Sequence, residues 1–245
     1  MESNQSNTKK EEIFRLFDEK PSSGLGFLDF PDKPLPPPPP PCLEVLSSEV
    51  SQNVRYSVEP VNVGGLTLLK GRVSTHEVFA LSNSDLVPGQ YEGGLKLWEG
   101  SLDLITALSS QMQGQSLSFA GKRVLELGCG HGLPGIFACL QGAEAVHFQD
   151  FNAEVLQCLT IPNVNANLEK NSQCLAPDGN NNTETRFFSG DWGEVHCVLD
   201  QASGYDVILM AETVYSISAL PNLYKLIKKV RFTPYKIYSF LFDYL

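Results

Sequence analysis

The sequence has little positive charge and lacks the cysteine and histidine patterns that bind structural metals. Its 245 residues include 18 lysines and arginines against 28 aspartates and glutamates, a formal net charge of −10. This balance argues against nucleic-acid binding through a basic surface and leaves a basic protein open as a partner, because an acidic enzyme attracts it. None of the 6 cysteines forms a C-x-x-C pair, and the 4 histidines are scattered. We therefore expect free thiols and no metal site.

The sequence also lacks a long apolar run. No stretch reaches the roughly 18 apolar residues that a membrane-spanning helix needs. The first residues, MESNQSNTKKEE, contain no apolar segment of the kind found in signal peptides. We expect a cytoplasmic or nuclear protein that acts as a monomer and has no membrane partner.

Residues 1–52 have a different composition from the rest of the chain. Residues 8–19 show the spacing of a short amphipathic helix, and Pro34–Pro41 must be extended polyproline II. The proline segment is either a ligand for an SH3- or WW-type domain or a stiff spacer, and the spacer is the preferred interpretation. We predict a flexible arm that the chemistry does not need.

Residues 53–230 alternate between strand and helix patterns. Two apolar runs on either side of Gly64-Gly65 predict a hairpin, and a helical pattern follows that ends at Gly114. Four strands are then predicted at 123–127, 145–149, 185–189 and 205–211, and three helices at 133–141, 153–167 and 221–230. Pro162 is expected to break or kink the second of these helices. The order predicts an α/β fold, Rossmann-like, with a parallel twisted sheet and helices on both faces.

The segment RVLELGCGHGLPG, residues 123–135, carries the strongest chemical signal. Gly128, Gly130 and Gly132 follow the first predicted parallel strand at alternate positions, where they allow a sharp turn and a close approach to a ligand. Asp150 ends the next strand, where a carboxylate can accept both ribose hydroxyls of an adenosine. Glu126 precedes the turn, and an acidic group there suits a cationic ligand.

A dinucleotide-binding turn is the alternative that must be separated from this one. Its fingerprint is G-x-G-x-x-G/A, and the third small position falls here on Leu133. The spacing G-x-G-x-G with an acidic residue before it instead looks like the turn of the seven-strand methyltransferases. The predicted cofactor is therefore S-adenosylmethionine.

Two further groups follow later strands. Asp191-Trp192 would suit an adenine, with the carboxylate on the exocyclic amine and the indole against the ring; the alternative is that Trp192 belongs to the core. Glu212 ends the last predicted strand, where it could orient a nitrogen nucleophile or stabilise developing positive charge. The alternative for Glu212 is an acidic residue that interacts with a helix dipole. Tyr215 is predicted to close the acceptor pocket.

Together these residues resemble the protein-histidine methyltransferase family of seven-strand, class I S-adenosylmethionine-dependent enzymes. YEGGLKLWE at residues 91–99 is the most telling segment, and VLELGCGHGLPGI, HFQDFN, PNVNAN, FFSGDW and ETVY follow in the order of that family. The resemblance implies methylation of a histidine imidazole nitrogen in a large-subunit ribosomal protein. A lysine methyltransferase of the same superfamily would use a similar pocket and stays open as an alternative.

The resemblance also implies a set of cofactor contacts. Trp98, Glu99, Gly100 and Ser101 would cover the methionine part, and Gly128 would lie against it. The ribose and adenine would be held by Gln149, Asp150 and Phe151, the adenine side would be lined by Gly190, Asp191 and Trp192, and Ala211 would lie beside the transferred methyl.

The last residues, 231–245, depart from the family pattern. They lack the glycine turn expected before a fifth strand and are rich in aromatic residues. The sequence therefore looks like a C-terminally shortened, plant-like member whose last strands are missing or replaced. Lys236–Phe242 is expected either to pair as a substitute fifth strand or to be prone to aggregation. A catalytically inactive remnant that binds cofactor or a partner is the corresponding alternative function.

Overall fold

A computed structural model describes residues 38–81, 85–174, 183–199 and 204–240. The amphipathic segment at 8–19 and the first half of the polyproline segment lie outside these residues. Within the described part, no helix has both the length and the apolar character needed to cross a membrane.

The main sheet has six strands in the order β1-β6-β5-β4-β7-β8. Strands β6, β5, β4, β7 and β8 run parallel, and β1 pairs antiparallel with β6 at one edge. The strands of this sheet are β1 (Leu43–Val45), β4 (Arg123–Leu127), β5 (Ala145–Asp150), β6 (Glu184–Ser189), β7 (Tyr205–Ala211) and β8 (Arg231–Phe240). The predicted parallel sheet is confirmed, with β4 and β7 at the predicted bounds.

The helices lie on both faces of this sheet. They are α1 (Thr75–Phe79), α2 (Glu99–Gln113), α3 (Leu133–Leu140), α4 (Ala153–Val155), α5 (Ile161–Cys174) and α6 (Leu220–Val230), with short 3₁₀ turns at Val195–Cys197 and Ile217–Ala219. Successive residues of β7 point to opposite faces, so Val207 packs in the cluster of α2 and α3, whereas Ile208 packs with α6. The predicted two-sided α/β architecture is therefore confirmed.

Of the break or kink expected at Pro162, the break is absent, because the helix continues through this residue. A π-helical turn at Leu156–Thr160 joins α4 to α5 directly before the proline. The wider turn changes the local backbone hydrogen-bonding pattern, so the missing N–H of Pro162 is accommodated without a break. Thr160 in this turn donates its hydroxyl to the carbonyl oxygen of Gly130 at 2.6 Å, which holds the glycine turn from behind.

The region predicted as an arm contains a short strand near its C-terminal end. Leu43–Val45 pairs with residues 187–189 of β6. The exposed Arg186–Glu44 ion pair accompanies this strand pairing. A strand of three residues next to a proline run has little sequence pattern of its own. Its pairing partner lies more than a hundred residues away, so the neighbouring sequence does not indicate the pairing either.

The segment after α6 forms β8, parallel to β7. Val207 pairs with Lys236 and Ala211 with Phe240. The expectation of a substitute fifth strand is confirmed up to Phe240, and the remaining residues lie outside the described part. This strand covers the side of β7 that would otherwise be an unpaired edge.

Strands β2 (Ser57–Val63) and β3 (Leu66–Arg72) form the predicted hairpin around Gly64-Gly65. Two asparagines of α5 hold it. Asn167 accepts from Leu69 N–H at 2.8 Å and donates to Leu69 O at 2.7 Å, as a paired strand would. Asn163 accepts from Gly71 N–H at 2.6 Å and donates to His131 O at 2.9 Å. The PNVNAN segment therefore joins the hairpin to the glycine turn.

Candidate active site

The carboxyl ends of four neighbouring parallel strands meet at one edge of the sheet. Leu127 pairs with both Gln149 and Met210, and Asp150 pairs with Ser189. The residues that follow, beginning with Gly128 and Glu212, therefore lie side by side. In open α/β sheets this edge is where ligands bind.

The glycine turn after β4 needs its glycines. Gly128, Gly130 and Gly132 have φ values of +60°, +48° and +70°, which side chains disfavour. A Cβ on Gly128 would lie 2.7 Å from Thr213 Cγ2, and one on Gly130 would lie 2.9 Å from Gly94 O. Gly128 is exposed although its neighbours on both sides are buried. The turn is therefore open to a ligand at Gly128.

Asp150 presents a buried carboxylate beside this opening. It is 3% exposed, and its oxygens accept the backbone N–H groups of Gly130 at 3.0 Å and Asn152 at 3.1 Å. Burial raises the pKa of Asp150 to about 6, although these backbone hydrogen bonds act in the opposite direction. The carboxylate is thus held rigidly in a position where it can accept further hydrogen bonds from a ligand.

Gln149 connects the glycine turn to the end of β6. Its Oε1 accepts from Trp192 Nε1–H at 3.0 Å and from Gly128 N–H at 3.4 Å, and its Nε2 donates to Gly190 O at 2.9 Å. Trp192 is half-buried and packs against the core cluster on the α6 face. It therefore belongs partly to the core and also borders the site. Asp191 accepts from Gly193 N–H at 2.7 Å and shapes the turn that carries the indole.

The YEGG segment lies across the glycine turn. A Cβ on Gly94 would stand 3.0 Å from Asp150 Oδ2, so this glycine allows the two loops to touch. Trp98 precedes α2 and donates its Nε1–H to Gly93 O at 3.1 Å. Glu92, Gly94 and Asn152 had no predicted role in the site. The paired glycines Gly93-Gly94, a few residues before α2, were the signal that could have indicated a close approach.

Glu126 is buried near the end of β4. It is 2% exposed and accepts the N–H of Gly135 in α3 at 2.8 Å. A Cβ on Gly135 would lie 2.6 Å from Glu126 Oε2, so the carboxyl group is packed beneath the first turn of that helix. Burial raises the pKa of Glu126 to about 8. The described contacts of Glu126 are with α3, so the group supports the turn from beneath, and its predicted interaction with a cationic ligand stays a prediction.

Glu212 and Tyr215 stand on the loop after β7. Glu212 has a φ of +50°, and its Oε1 accepts the N–H of Gly100 at 2.6 Å. Gly100 is the second residue of α2, and a Cβ there would lie 2.7 Å from Glu212 Cγ. The acid therefore interacts with a helix N-terminus, as the alternative interpretation held, but the helix is α2. Tyr215 is 54% exposed and donates its O–H to Glu92.

Most of the predicted site residues are brought to this edge. At the start of α2, Trp98 is hydrogen-bonded to Gly93 and Gly100 is hydrogen-bonded to Glu212, and these contacts place both residues at this edge. Ser101 and Phe151 are half-buried near it, and Glu99 is exposed. Among the described residues, no group of three or more histidine, cysteine, aspartate or glutamate side chains could hold a metal ion.

Comparison with known proteins identifies relatives over most of this region. A family profile described as "Lysine methyltransferase" matches residues 88–240. "Histidine protein methyltransferase 1 homolog" of Dictyostelium discoideum is 42% identical over 147 residues, which cover 60% of this chain and 42% of that protein. The protein of the same name from Bos taurus is 37% identical over 195 residues, covering 71% of this chain and 51% of that one. The chain thus spans about half the length of these relatives.

Among solved structures, the chain is similar to magnesium protoporphyrin IX methyltransferase from Synechocystis PCC 6803 with bound SAH. The TM-score is 0.36 and the identity 15%, and the match covers 54% of this chain and 51% of that one. The resemblance to protein-histidine methyltransferases noted in the sequence is confirmed by the relatives. Because the profile described as "Lysine methyltransferase" covers more than half of the residues, the chain belongs to the S-adenosylmethionine-dependent methyltransferase family that this profile describes.

Proposed function

We propose that this protein transfers a methyl group from S-adenosylmethionine to an imidazole nitrogen of a histidine in a protein substrate. The observation that carries the proposal is the fixed Asp150 carboxylate beside the exposed Gly128, with the Glu212–Tyr215 loop following the adjacent strand. The similarity to histidine protein methyltransferases supports the acceptor.

The residues at this edge fit the cofactor. Asp150 would accept the ribose hydroxyls, and the exposed backbone of Gly128 would lie against the methionine part. Asp191 and Trp192 would border the adenine. The start of α2 would cover the methionine group, and Ala211 would lie beside the methyl. When bound, the cofactor supplies a methyl group on a positively charged sulfonium and leaves as a neutral thioether.

The acceptor chemistry requires little from the protein beyond alignment. A neutral imidazole, with an ordinary pKa near 6.5, has one nitrogen with a free lone pair that can attack a methyl carbon. Holding the two groups in line supplies most of the rate. Tyr215 would border the acceptor, and Glu212 would stabilise the developing charge in addition to fixing α2.

A lysine acceptor is the second candidate, and the description of the family profile favours it. A lysine amine must lose its proton before it can attack, because its ordinary pKa is near 10.4. Activity on lysine should therefore rise steeply with pH up to that value. Activity on histidine should level off above about pH 7, where the imidazole is already neutral.

The test is methyl transfer from radiolabelled S-adenosylmethionine by the full chain to large-subunit ribosomal proteins, followed by mass spectrometry of the labelled peptide. A methylated histidine supports the proposal, and a methylated lysine replaces it with the second candidate. Asp150→Asn is the matched inactive control. Cofactor binding by calorimetry without any transfer would support the inactive-remnant alternative and refute the proposal.

Several finer features are also part of the proposal. The substrate is a large-subunit ribosomal protein, whose basic character suits a chain of net charge −10. The enzyme acts as a monomer in the cytoplasm or nucleus. The polyproline arm acts as a spacer or binds an SH3- or WW-type domain. Size-exclusion chromatography with light scattering tests the monomeric state, and cell fractionation tests the localisation.

A further inference from the structure

Tyr215, which borders the acceptor in the proposed function, is paired with a carboxylate, Glu92, that has no role in that function. Glu92 lies in the loop before α2, and Tyr215 lies in the loop after β7 and donates its O–H to Glu92 Oε2. Gly89 N–H donates to Glu92 Oε1 at 2.7 Å, and Glu92 N–H donates to Asn152 Oδ1 at 3.2 Å. The carboxylate is thus fixed through both its side chain and its backbone.

One oxygen of the Glu92 carboxylate differs from the neighbouring carboxylates in its hydrogen-bond partner. Three other carboxylates at this edge, those of Asp150, Asp191 and Glu212, accept hydrogen bonds from backbone N–H groups. Glu92 Oε2 is bonded instead to the hydroxyl of a side chain that is 54% exposed. A carboxylate oxygen has two lone-pair sites, so Glu92 Oε2 can accept an incoming donor while the hydrogen bond from Tyr215 is kept.

The surroundings of Tyr215 keep its hydroxyl protonated, so that it donates to Glu92. Burial of the hydroxyl, its hydrogen bond to Glu92 and the charge of Asp150 raise the pKa of Tyr215, so the phenol stays protonated and acts as a donor. Glu92 N–H donates to Asn152 Oδ1 at 3.2 Å, and Asn152 N–H donates to Asp150 Oδ1 at 3.1 Å, so the pair lies beside the carboxylate proposed to hold the ribose. The pair therefore borders the cofactor site and faces solvent through its tyrosine.

We propose that Glu92 and Tyr215 form the recognition pair for the acceptor imidazole, with the Glu92 carboxylate accepting the N–H of the nitrogen that is not methylated. This inference rests on the proposed histidine methylation. The hydrogen bond selects the tautomer whose lone pair is on the other nitrogen. Glu92 thereby determines both the acceptor class and which nitrogen receives the methyl, while Tyr215 orients the carboxylate.

The electrons and the proton balance in this arrangement. The imidazole lone pair forms the new N–C bond, and the electron pair of the broken C–S bond stays on sulfur. The methylated ring is then a cation, which the Glu92 carboxylate stabilises through the N–H it already holds. That proton passes to the carboxylate and on to solvent, which leaves a neutral methylhistidine.

The test compares Glu92→Gln and Tyr215→Phe with the wild-type full chain on the histidine peptide labelled in the transfer assay. Glu144→Gln is the matched control, because Glu144 is exposed and lies at the opposite end of the strands, before β5. We expect Glu92→Gln to lower kcat about 100-fold and to leave S-adenosylmethionine affinity within about threefold, since an amide retains the oxygen that Gly89 bonds.

The position of the methyl group is the second readout, and a merely structural role would not change it. The wild type should yield one methylhistidine isomer by NMR of the product, and Glu92→Gln should yield both, because a neutral amide holds the ring less firmly and lets it also bind in the flipped orientation. Tyr215→Phe should raise the KM for the peptide and keep a single isomer.

The outcomes distinguish a failure of the recognition pair from a failure of the proposed function. If the wild type methylates histidine and Glu92→Gln retains its rate and its single isomer, the recognition pair is wrong and the proposed function stands. If Glu92→Gln loses cofactor affinity as strongly as transfer, Glu92 belongs to the cofactor site and the pair is again wrong. If the wild type methylates lysine alone, the proposed function itself fails, and the recognition pair fails with it.

Discussion

Replacing Glu126 by glutamine tests how the glycine turn is supported. The carboxyl group is fully buried beneath α3 and accepts Gly135 N–H at 2.8 Å. Burial raises its pKa from 4.5 to about 8, with the hydrogen bond from Gly135 acting against the shift and the charge of Asp150 adding to it. Glutamine is close in shape, keeps a carbonyl oxygen for Gly135, and is neutral at every pH.

The expected effect on the free energy of unfolding follows from the pKa shift. A group whose pKa is raised on folding stabilises the folded state below its unfolded pKa, and this contribution is lost as the pH rises through the folded value. Each pH unit between these limits corresponds to about 1.4 kcal/mol. From pH 5 to pH 7.5 the wild type should therefore lose about 3 kcal/mol that Glu126→Gln keeps.

Urea unfolding of the cofactor-free protein, followed by the fluorescence of Trp98 and Trp192, measures this difference at pH 5 and pH 7.5. The titration of Asp150 occurs in both proteins and largely cancels. Glu144→Gln, an exposed substitution, should show no pH-dependent difference from the wild type. A stability difference between Glu126→Gln and the wild type that is the same at both pH values would refute the buried, neutral Glu126.

Three further predictions concern the same region. Cofactor affinity, measured by calorimetry, should fall up to about tenfold per pH unit below pH 6, because the pKa of Asp150 is about 6 and the ribose needs its carboxylate; equal affinity at pH 5 and pH 8 would contradict this role. Gly130→Ala should lower the free energy of unfolding by at least about 1 kcal/mol, since φ is +48° and the new Cβ would lie 2.9 Å from Gly94 O; an unchanged thermal midpoint would argue against this close approach. Asn163→Ala should cost about 3 kcal/mol by removing buried hydrogen bonds, and hydrogen exchange at the Gly71 amide should speed up in parallel; an unchanged exchange rate there would mean that the asparagine does not hold the hairpin.

The local patterns in the sequence are strong enough to determine the main elements. The apolar runs of β4 and β7 are bounded by polar residues and glycines, so both strands have their predicted limits. The glycines of the turn could also be predicted from the sequence, because each lies where a side chain would strain the backbone or clash. Asp150 follows from its place at the end of β5. Such features depend on neighbours in the chain, which the sequence shows directly.

The tertiary structure alone decided where the polar side chains point. Glu126 and Glu212 are both acids at the ends of parallel strands, yet one lies beneath α3 and the other holds the start of α2. Asn163 looked like part of a family signature and proved to join the hairpin to the glycine turn. Glu92 accepts a hydrogen bond from Tyr215, which lies more than a hundred residues further along the chain. The sequence by itself determined the strands, the helices and the glycine turn, because periodicity and backbone strain are local. The partners of each buried polar group came from the packing of distant segments, because a hydrogen bond forms with whichever group the fold brings near.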